Sequence, residues 1–305
     1  MTSPQRILLD CDPGIDDAFA LLCALKFTEL TAITTVSGNV SINNTTRNAQ
    51  YLMELAGVDV PVHRGASSPL EVDGVAADEI HGSSGLGNLA TPESARPESP
   101  IGAVDAILDF CAGGEATIVA TGPLTNIALA LIEDPSLVER ISHLYWMGGG
   151  TEGGNVTERA EFNAWADPHA LDITLRSGVS LTMFGLNLTH QVRMGQREID
   201  ALRSAGSTTA AVLADFLEFY RQNGAQHEAG QPMHDPCALL GLTHPDLFET
   251  TKSRIVTSTT DDENRGRTFV HPPQTDTEHY VAVRANAPQV IDLIIQAAID
   301  PRPVA

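Results

Sequence analysis

The stretch Ile7-Leu8-Leu9-Asp10-Cys11-Asp12-Pro13-Gly14-Ile15-Asp16-Asp17 begins with three aliphatic residues. It ends in an acidic pair that leads into an apolar helical pattern from about Asp16 to Phe27. A short apolar strand joined to a helix through a Pro-Gly turn is the first half of a βα unit. The alternation continues downstream. Leu30–Val36 (LTAITTV) reads as a strand, followed by a helix from about Thr45 to Gly57 and a short run near Pro61–His63. Ala103–Cys111 reads as helix, Ala116–Ala120 (ATIVA) as strand and Leu124–Ile132 as helix. Leu144–Met147 and Leu181–Phe184 read as strands on either side of a helix near Pro168–Arg176. Strands and helices in this order imply right-handed crossovers, hence an α/β fold with one open, mostly parallel sheet and helices on both faces. Residues 197–245 read as mainly helical. Residues 253–284 suggest a small antiparallel pair around Asp261-Asp262-Glu263-Asn264, before a final helix. With no internal repeat, low-complexity tract or linker, a single domain over residues 1–305 is expected.

The chain has 305 residues, 18 of them basic and 39 acidic, for a formal charge of −21. Such a field repels nucleic-acid backbones and anionic membrane surfaces, and no basic run or aromatic–basic interleaving offsets it. No apolar run approaches the ~20 residues that span a bilayer. Cys11, Cys23, Cys111 and Cys237 form no C-x-x-C pair and lie in or beside apolar segments, so free buried thiols are expected. The N-terminus runs straight into a strand pattern without a leader-like segment, and a cytoplasmic location is the expectation.

In an open parallel sheet, ligands bind beyond the carboxyl ends of the strands. Asp10, Asp12, Asp16 and Asp17 place four carboxylates in eight residues at such an end, where their repulsion calls for a cation. The Pro13-Gly14 turn lets Asp12 and the Asp16-Asp17 pair converge, and hard oxygen ligands suit Ca²⁺ or Mg²⁺. Helix capping explains one or two of these acids but not Asp12 at the strand end. An EF-hand fails: counted from Asp10, the sixth position is Ile15 rather than Gly and the twelfth is Leu21 rather than Glu. One loop cannot complete a shell of six to eight oxygens. His234-Asp235-Pro236, before the apolar CALLGL, is the best distant contributor, although the same triplet is also a good helix start. A carbonyl in Thr121-Gly122-Pro123, after ATIVA, is another.

Nine segments in order extend the pattern over nearly the whole chain. They are DCDPGIDDAFA from Asp10, AITTVSGN ending at Asn39, TRNAQ from Thr46, HGSSGLG from His81, TGPLTNIALA from Thr121, MGGG from Met147, AEFNAWADP from Ala160, GLNLTH from Gly185 and HDPCA from His234. Together they resemble the inosine–uridine-preferring nucleoside hydrolase family, whose fold is an α/β domain around a mostly parallel sheet with a small antiparallel addition. The resemblance implies hydrolysis of the N-glycosidic bond of ribonucleosides to free base and ribose. It implies a Ca²⁺ held by Asp12, Asp17, Asp235 and the main-chain carbonyl of Thr121, with Asp12 also the base that deprotonates a calcium-bound water. Asp10 would support the site without binding the metal. Asp16, Asn39, Met147, Asn155, Glu161 and Asn163 would bind ribose. His81 and His234 would face the base, with His234 protonating it on departure. A homodimer or homotetramer is also implied.

The chemistry agrees with those roles. Breaking an N-glycosidic bond develops positive charge on the sugar, which a carboxylate-rich pocket stabilises. Imidazole titrates near neutrality, as a leaving-group acid should. His227, within NGAQHEAG, is a candidate for a closing segment, and Trp165 reads as core packing.

Rival readings are weaker. Gly85-Leu-Gly87-Asn-Leu-Ala90 follows a polar segment rather than a strand, and no amphipathic helix follows Gly148-Gly-Gly150, so neither is a dinucleotide fingerprint. A haloacid-dehalogenase-type phosphohydrolase also starts strand–Asp-x-Asp, but it needs a placed lysine and a later acidic motif. Lys26 and Lys252, the two lysines present, do not fit, and the acidic motif is absent. A non-catalytic, metal-dependent nucleoside-binding protein is the other alternative.

Overall fold

The computed structural model describes residues 4–74, 77–87, 89, 98–223, 230–274 and 278–302. The first half of the chain alternates strands with one or two helices. β1 (Arg6–Cys11), α1 (Ile15–Phe27), β2 (Glu29–Thr35), α2 (Ile42–Ala56) and β3 (Val62–Arg64) come first, then the short α3 (Asp78–His81). Next are α4 (Ala103–Cys111), β4 (Ala116–Ala120), α5 (Thr125–Glu133), β5 (Ile141–Met147), α6 (Phe162–Ala166), α7 (Pro168–Ser177) and β6 (Leu181–Phe184). The second half runs α8 (Leu186–Thr189), β7 (Arg193–Met194), α9 (Gln196–Ser204), α10 (Thr208–Asn223), β8 (Gln231–Pro232) and α11 (Asp235–Thr243). It closes with β9 (Phe248–Lys252), β10 (Arg254–Thr257), β11 (Thr268–His271), β12 (His279–Ala285) and α12 (Ala287–Ile299).

One eight-stranded sheet, in the order β3-β2-β1-β4-β5-β6-β12-β9, carries the fold. All its neighbours are parallel except β9, which pairs antiparallel with β12 at the edge. β10–β11 and β7–β8 form two small antiparallel pairs. Both faces are covered. Ile7, Leu9 and Cys11 point into a core built with α1, α2 and α9 to α12. Leu8 points the other way, against α4, α5, α7 and Ile255 of β10. The central strands read as unbroken apolar runs because each successive residue meets a helix layer on one face or the other. Among the described residues no helix is long and apolar enough to cross a membrane. All four cysteines are free and buried.

Two sequence boundaries move. α2 begins at Ile42 rather than near Thr45, because Ser41-Ile42-Asn43-Asn44 is a polar first turn without apolar periodicity. The antiparallel pair expected within 253–284 is β10–β11. β12 leaves it to extend the main sheet in parallel with β6, and β9 covers the new edge. HYVAVRA reads only as a half-buried strand, and its partner is set by long-range packing that local pattern does not carry.

Leu8 is fully buried between β1 and the helix layer of α4 and α5. Leu8→Ala should therefore cost about 2–5 kcal/mol of unfolding free energy in urea titrations. A loss well under 1 kcal/mol would show that this layer is not close-packed.

Candidate functional site

The sheet order reverses at β1: the chain leaves it for β2 on one side and later returns as β4 on the other. The crevice at such a switch point lies beyond the strands' carboxyl ends. Asp12 follows β1 there, Asn39 lies after β2, Thr121 follows β4 and Met147 ends β5.

Asp12 is fully buried. Its Oδ2 accepts the Asn39 backbone N–H at 2.7 Å, and the Asn39 amide donates to the Asp12 carbonyl at 3.2 Å. Its Oδ1 is buried without a hydrogen-bond partner. Two glycines enclose this carboxylate: a Cβ on Gly38 would stand 2.0 Å from Oδ2, and one on Gly122 2.8 Å from Oδ1. Asp17 is held on three sides, by the Gly14 N–H (2.9 Å), the Asn39 amide (3.2 Å) and the Thr121 hydroxyl (2.8 Å). This explains why a Pro-Gly turn sits between the acids: it folds the start of α1 back so that Asp17 caps Gly14.

Asp16, Asp17 and Asp235 each present a carboxylate oxygen within 4.8 Å of the others, a group that could hold a metal ion. Asp235 arrives from the first residue of α11, which packs against α1. Asp10, one strand residue before the turn, is satisfied differently. Its Oδ1 accepts from Thr34 (2.6 Å) and Asn126 (2.7 Å), while its Oδ2 has no partner.

Burial pushes all these carboxyls up. Asp10 rises to about 6 through desolvation. Asp16 rises to about 7 through desolvation and then the charge of Asp17. Asp12 and Asp235 stand well above the ordinary carboxylate range for the same reasons, and Asp17 is raised by desolvation. Among the described residues no lysine or arginine forms an ion pair with any of them. Buried like charges with unpaired oxygens and no basic partner fit a hard divalent cation.

The opposite wall is built mainly on backbone groups. Glu161 caps α6: its Oε1 accepts the Asn163 N–H (2.9 Å), and its Oε2 accepts those of Ala164 (3.0 Å) and Gly149 (2.7 Å). Desolvation holds its carboxyl up at about 7. The Asn163 amide nitrogen donates to the carbonyls of Thr121 (2.8 Å) and Met147 (3.1 Å), so its oxygen is the end turned away from them. Exposed Asn155 accepts the Phe162 N–H at 2.9 Å.

A small cleft of about 50 Å³ is lined by Asp16, Asn39, Thr121, Met147, Asn155, Glu161, Phe162, Asn163, His234 and Asp235. Asp12 and Asp17 lie behind this lining. Phe162 is the one member that sequence reading did not single out, although it stands inside the AEFNAWADP segment. His234 caps α11, with its Nδ1 2.8 Å from the Thr189 hydroxyl. Desolvation, then His190, His81 and Arg193, depress its pKa to about 3. His81 does not line the cleft. Its Nδ1 accepts the Ile15 N–H at 3.1 Å, its ring stacks on Tyr220 at 5.7 Å, and burial lowers its pKa to about 4. Trp165 is half-buried rather than core, with the Arg265 guanidinium 4.0 Å from its ring centroid. His227 lies outside the described residues.

With this geometry in place, comparison with known proteins is decisive at the level of family. The family model described as inosine-uridine preferring nucleoside hydrolase matches residues 7–292. The pyrimidine-specific ribonucleoside hydrolase RihA of Photobacterium profundum is 38% identical over 274 residues, covering 87% of this chain and 88% of that one. RihA of Escherichia coli is 36% identical over 302 residues, 96% of each chain. The solved purine-preferring ribonucleoside hydrolase from Gardnerella vaginalis superposes with a TM-score of 0.91 at 32% identity, covering 97% of this chain and 99% of that one. The chain belongs to the inosine-uridine preferring nucleoside hydrolase family and is an enzyme that hydrolyses the N-glycosidic bond of ribonucleosides. The phosphohydrolase and non-catalytic readings are set aside.

The raised carboxyls make a signed prediction. A carboxyl whose folded pKa lies above its unfolded value of about 4 stabilises the fold at low pH and loses that contribution as pH rises through the folded value, here from about 4 to about 7 and beyond. Buried His81 and His234, with depressed values, act in the opposite sense, costing stability as pH falls below the unfolded value of about 6.5. The rise in thermal midpoint on adding a divalent cation to chelated protein should therefore grow from pH 5 to pH 8. A rise that is flat or shrinks over that range would mean the carboxyls do not bind the ion.

Proposed function

We propose that the enzyme is a calcium-dependent ribonucleoside hydrolase with Asp12 as its general base, built as one domain over residues 1–305. The observation that carries this is the unpaired, fully buried Oδ1 of Asp12 beside the Asp16/Asp17/Asp235 group. Asp12, Asp17, Asp235 and the Thr121 carbonyl hold the ion, an all-oxygen set of the kind Ca²⁺ takes. When bound, the ion acidifies water and offsets the mutual repulsion of the carboxylates.

Asp12 takes the proton of the attacking water at Oδ1, while Asn39 and the two glycines keep its other oxygen and its orientation fixed. Asp16, Asn39, Met147, Asn155, Glu161 and Asn163 receive the ribose. Desolvated carboxylates nearby favour the positive charge that grows on the sugar as the bond to the base breaks. Hydroxyls that satisfy buried polar groups also give selectivity for ribose, because a missing hydroxyl leaves such a group unpaired.

His234 and His81 serve the base side. In the tautomer in which Thr189 donates to its Nδ1, neutral His234 carries its hydrogen on Nε2 and offers the leaving base a hydrogen bond. Its depressed pKa favours this over a standing imidazolium. His81 works from behind the cleft wall, against Tyr220 and the start of α1. The curated relatives named pyrimidine-specific place uridine and cytidine first among substrates to test. A cytoplasmic homodimer or homotetramer completes the proposal.

Release of free base and reducing sugar from uridine, cytidine, inosine and adenosine, without phosphate, tests the reading directly. It should be abolished by chelator and restored by Ca²⁺. Asp12→Asn should reduce turnover about 10²–10⁴-fold, and near-normal turnover would remove Asp12 from the base role. His234→Ala should slow uridine or inosine by about 10²-fold yet spare p-nitrophenyl riboside, whose leaving group needs no proton. Equal losses on both would take His234 out of leaving-group activation.

A further inference from the structure

The antiparallel hairpin β10–β11 has no part in the roles above, yet its first β11 residue reaches the sugar side of the site. We infer that Thr268 is a positioning residue for ribose, its hydroxyl latching the glycine loop that orients Glu161 and Asn163. Thr268 is buried, and its Oγ1 donates to the Gly150 carbonyl at 2.6 Å while accepting the Gly150 N–H at 2.9 Å. One hydroxyl thus holds both backbone groups of a single residue and suppresses rotation of the peptides on either side.

The neighbouring residue is Gly149, whose N–H donates to Glu161 Oε2 and whose φ of +67° suits glycine. A Cβ there would stand 2.9 Å from Thr268 Cγ2, so the loop backbone packs directly on the Thr268 side chain. Met147, at the head of the same loop, offers its carbonyl to the Asn163 amide. The hairpin tip is anchored to the other end of this unit. Arg265 stacks on Trp165, two residues past Asn163, and its Nε donates to the Trp165 carbonyl at 3.0 Å. The hairpin therefore grips both the loop after β5 and helix α6, and with them the two side chains assigned to ribose. A strand pair packed only for stability would not need its one buried hydroxyl on the loop that receives Glu161.

This inference rests on the assignment of Glu161 and Asn163 to the sugar, and the variants separate the two. Thr268→Val keeps the shape and removes the hydroxyl, whereas Thr268→Ser keeps the hydroxyl. The valine variant should raise KM by about five- to tenfold, the worth of one or two net hydrogen bonds. The factor should be the same for uridine and inosine, because the sugar is common to both. The serine variant should stay within about twofold of the parent in KM, and the Ca²⁺ affinity of the valine variant should be unchanged although its midpoint falls with the two buried hydrogen bonds it loses. Thr268→Ala is read in the same way should valine not fold. An unchanged KM in the valine or alanine variant overturns the inference, as does a rise that differs between bases, comes with weakened Ca²⁺ affinity or persists in serine. Asn163→Ala run alongside distinguishes the failures. If it leaves KM unchanged, the sugar-side assignment falls; if it raises KM while Thr268→Val does not, only the latch falls.

Discussion

Mutual repulsion among carboxylates buried at the end of β1 is the constraint around which the molecule is arranged. Asp12, Asp16, Asp17 and Asp235 lie almost wholly out of water, and none has a basic partner among the described residues. Every nearby feature manages that charge. The Asn39 and Gly14 N–H groups and the Thr121 hydroxyl supply hydrogen bonds that lower the carboxyl pKa values, against a larger desolvation that raises them. Glycine at 38 and 122 leaves room for the Asp12 carboxylate, which any side chain there would displace. The residual charge is an electrostatic preference for cations, including the transient one on a departing sugar.

The two walls of the cleft are built on different principles. The acidic wall holds side chains against side chains and backbone around an ion-sized space. On the opposite wall, Glu161 spends both oxygens on the N–H groups of Gly149, Asn163 and Ala164. Its place is thus architectural: a helix cap that simultaneously ties α6 to the loop after β5. Rigid elements position polar groups better than free loops do, which suits recognition of several hydroxyls at once. The hairpin adds a third support from a distant part of the chain.

The two histidines proposed to serve the base are neutral. His81 and His234 are buried, their protonation is disfavoured, and His81 lies against Tyr220. Neutral imidazoles can donate or accept a hydrogen bond without adding a positive charge beside the metal group. Arg193, which donates to the His190 and Gly230 carbonyls, reinforces that neutrality by disfavouring an imidazolium at His234.

Local pattern was sufficient for the βα alternation, the apolar central strands and the acidic turn at 10–17, because burial on both faces writes continuous apolar runs and tight turns demand Pro and Gly. The motif series likewise pointed to the residues that now line the cleft, Phe162 excepted. Folding decided what sequence distance conceals. β12 joins β6 although some 95 residues separate them, and its local pattern names no partner. His81 meets the start of α1 across 66 residues of sequence, its Nδ1 supplying the acceptor that the Ile15 N–H needs. Trp165 stays at the surface beneath Arg265, a residue of the hairpin that no helical periodicity could have associated with it. The chain by itself therefore determined which chemical groups are available and at which strand ends they stand. Only the tertiary structure decided which of them meet, since side-chain hydrogen bonds across a hundred residues depend on how the layers pack rather than on what either neighbourhood prefers locally.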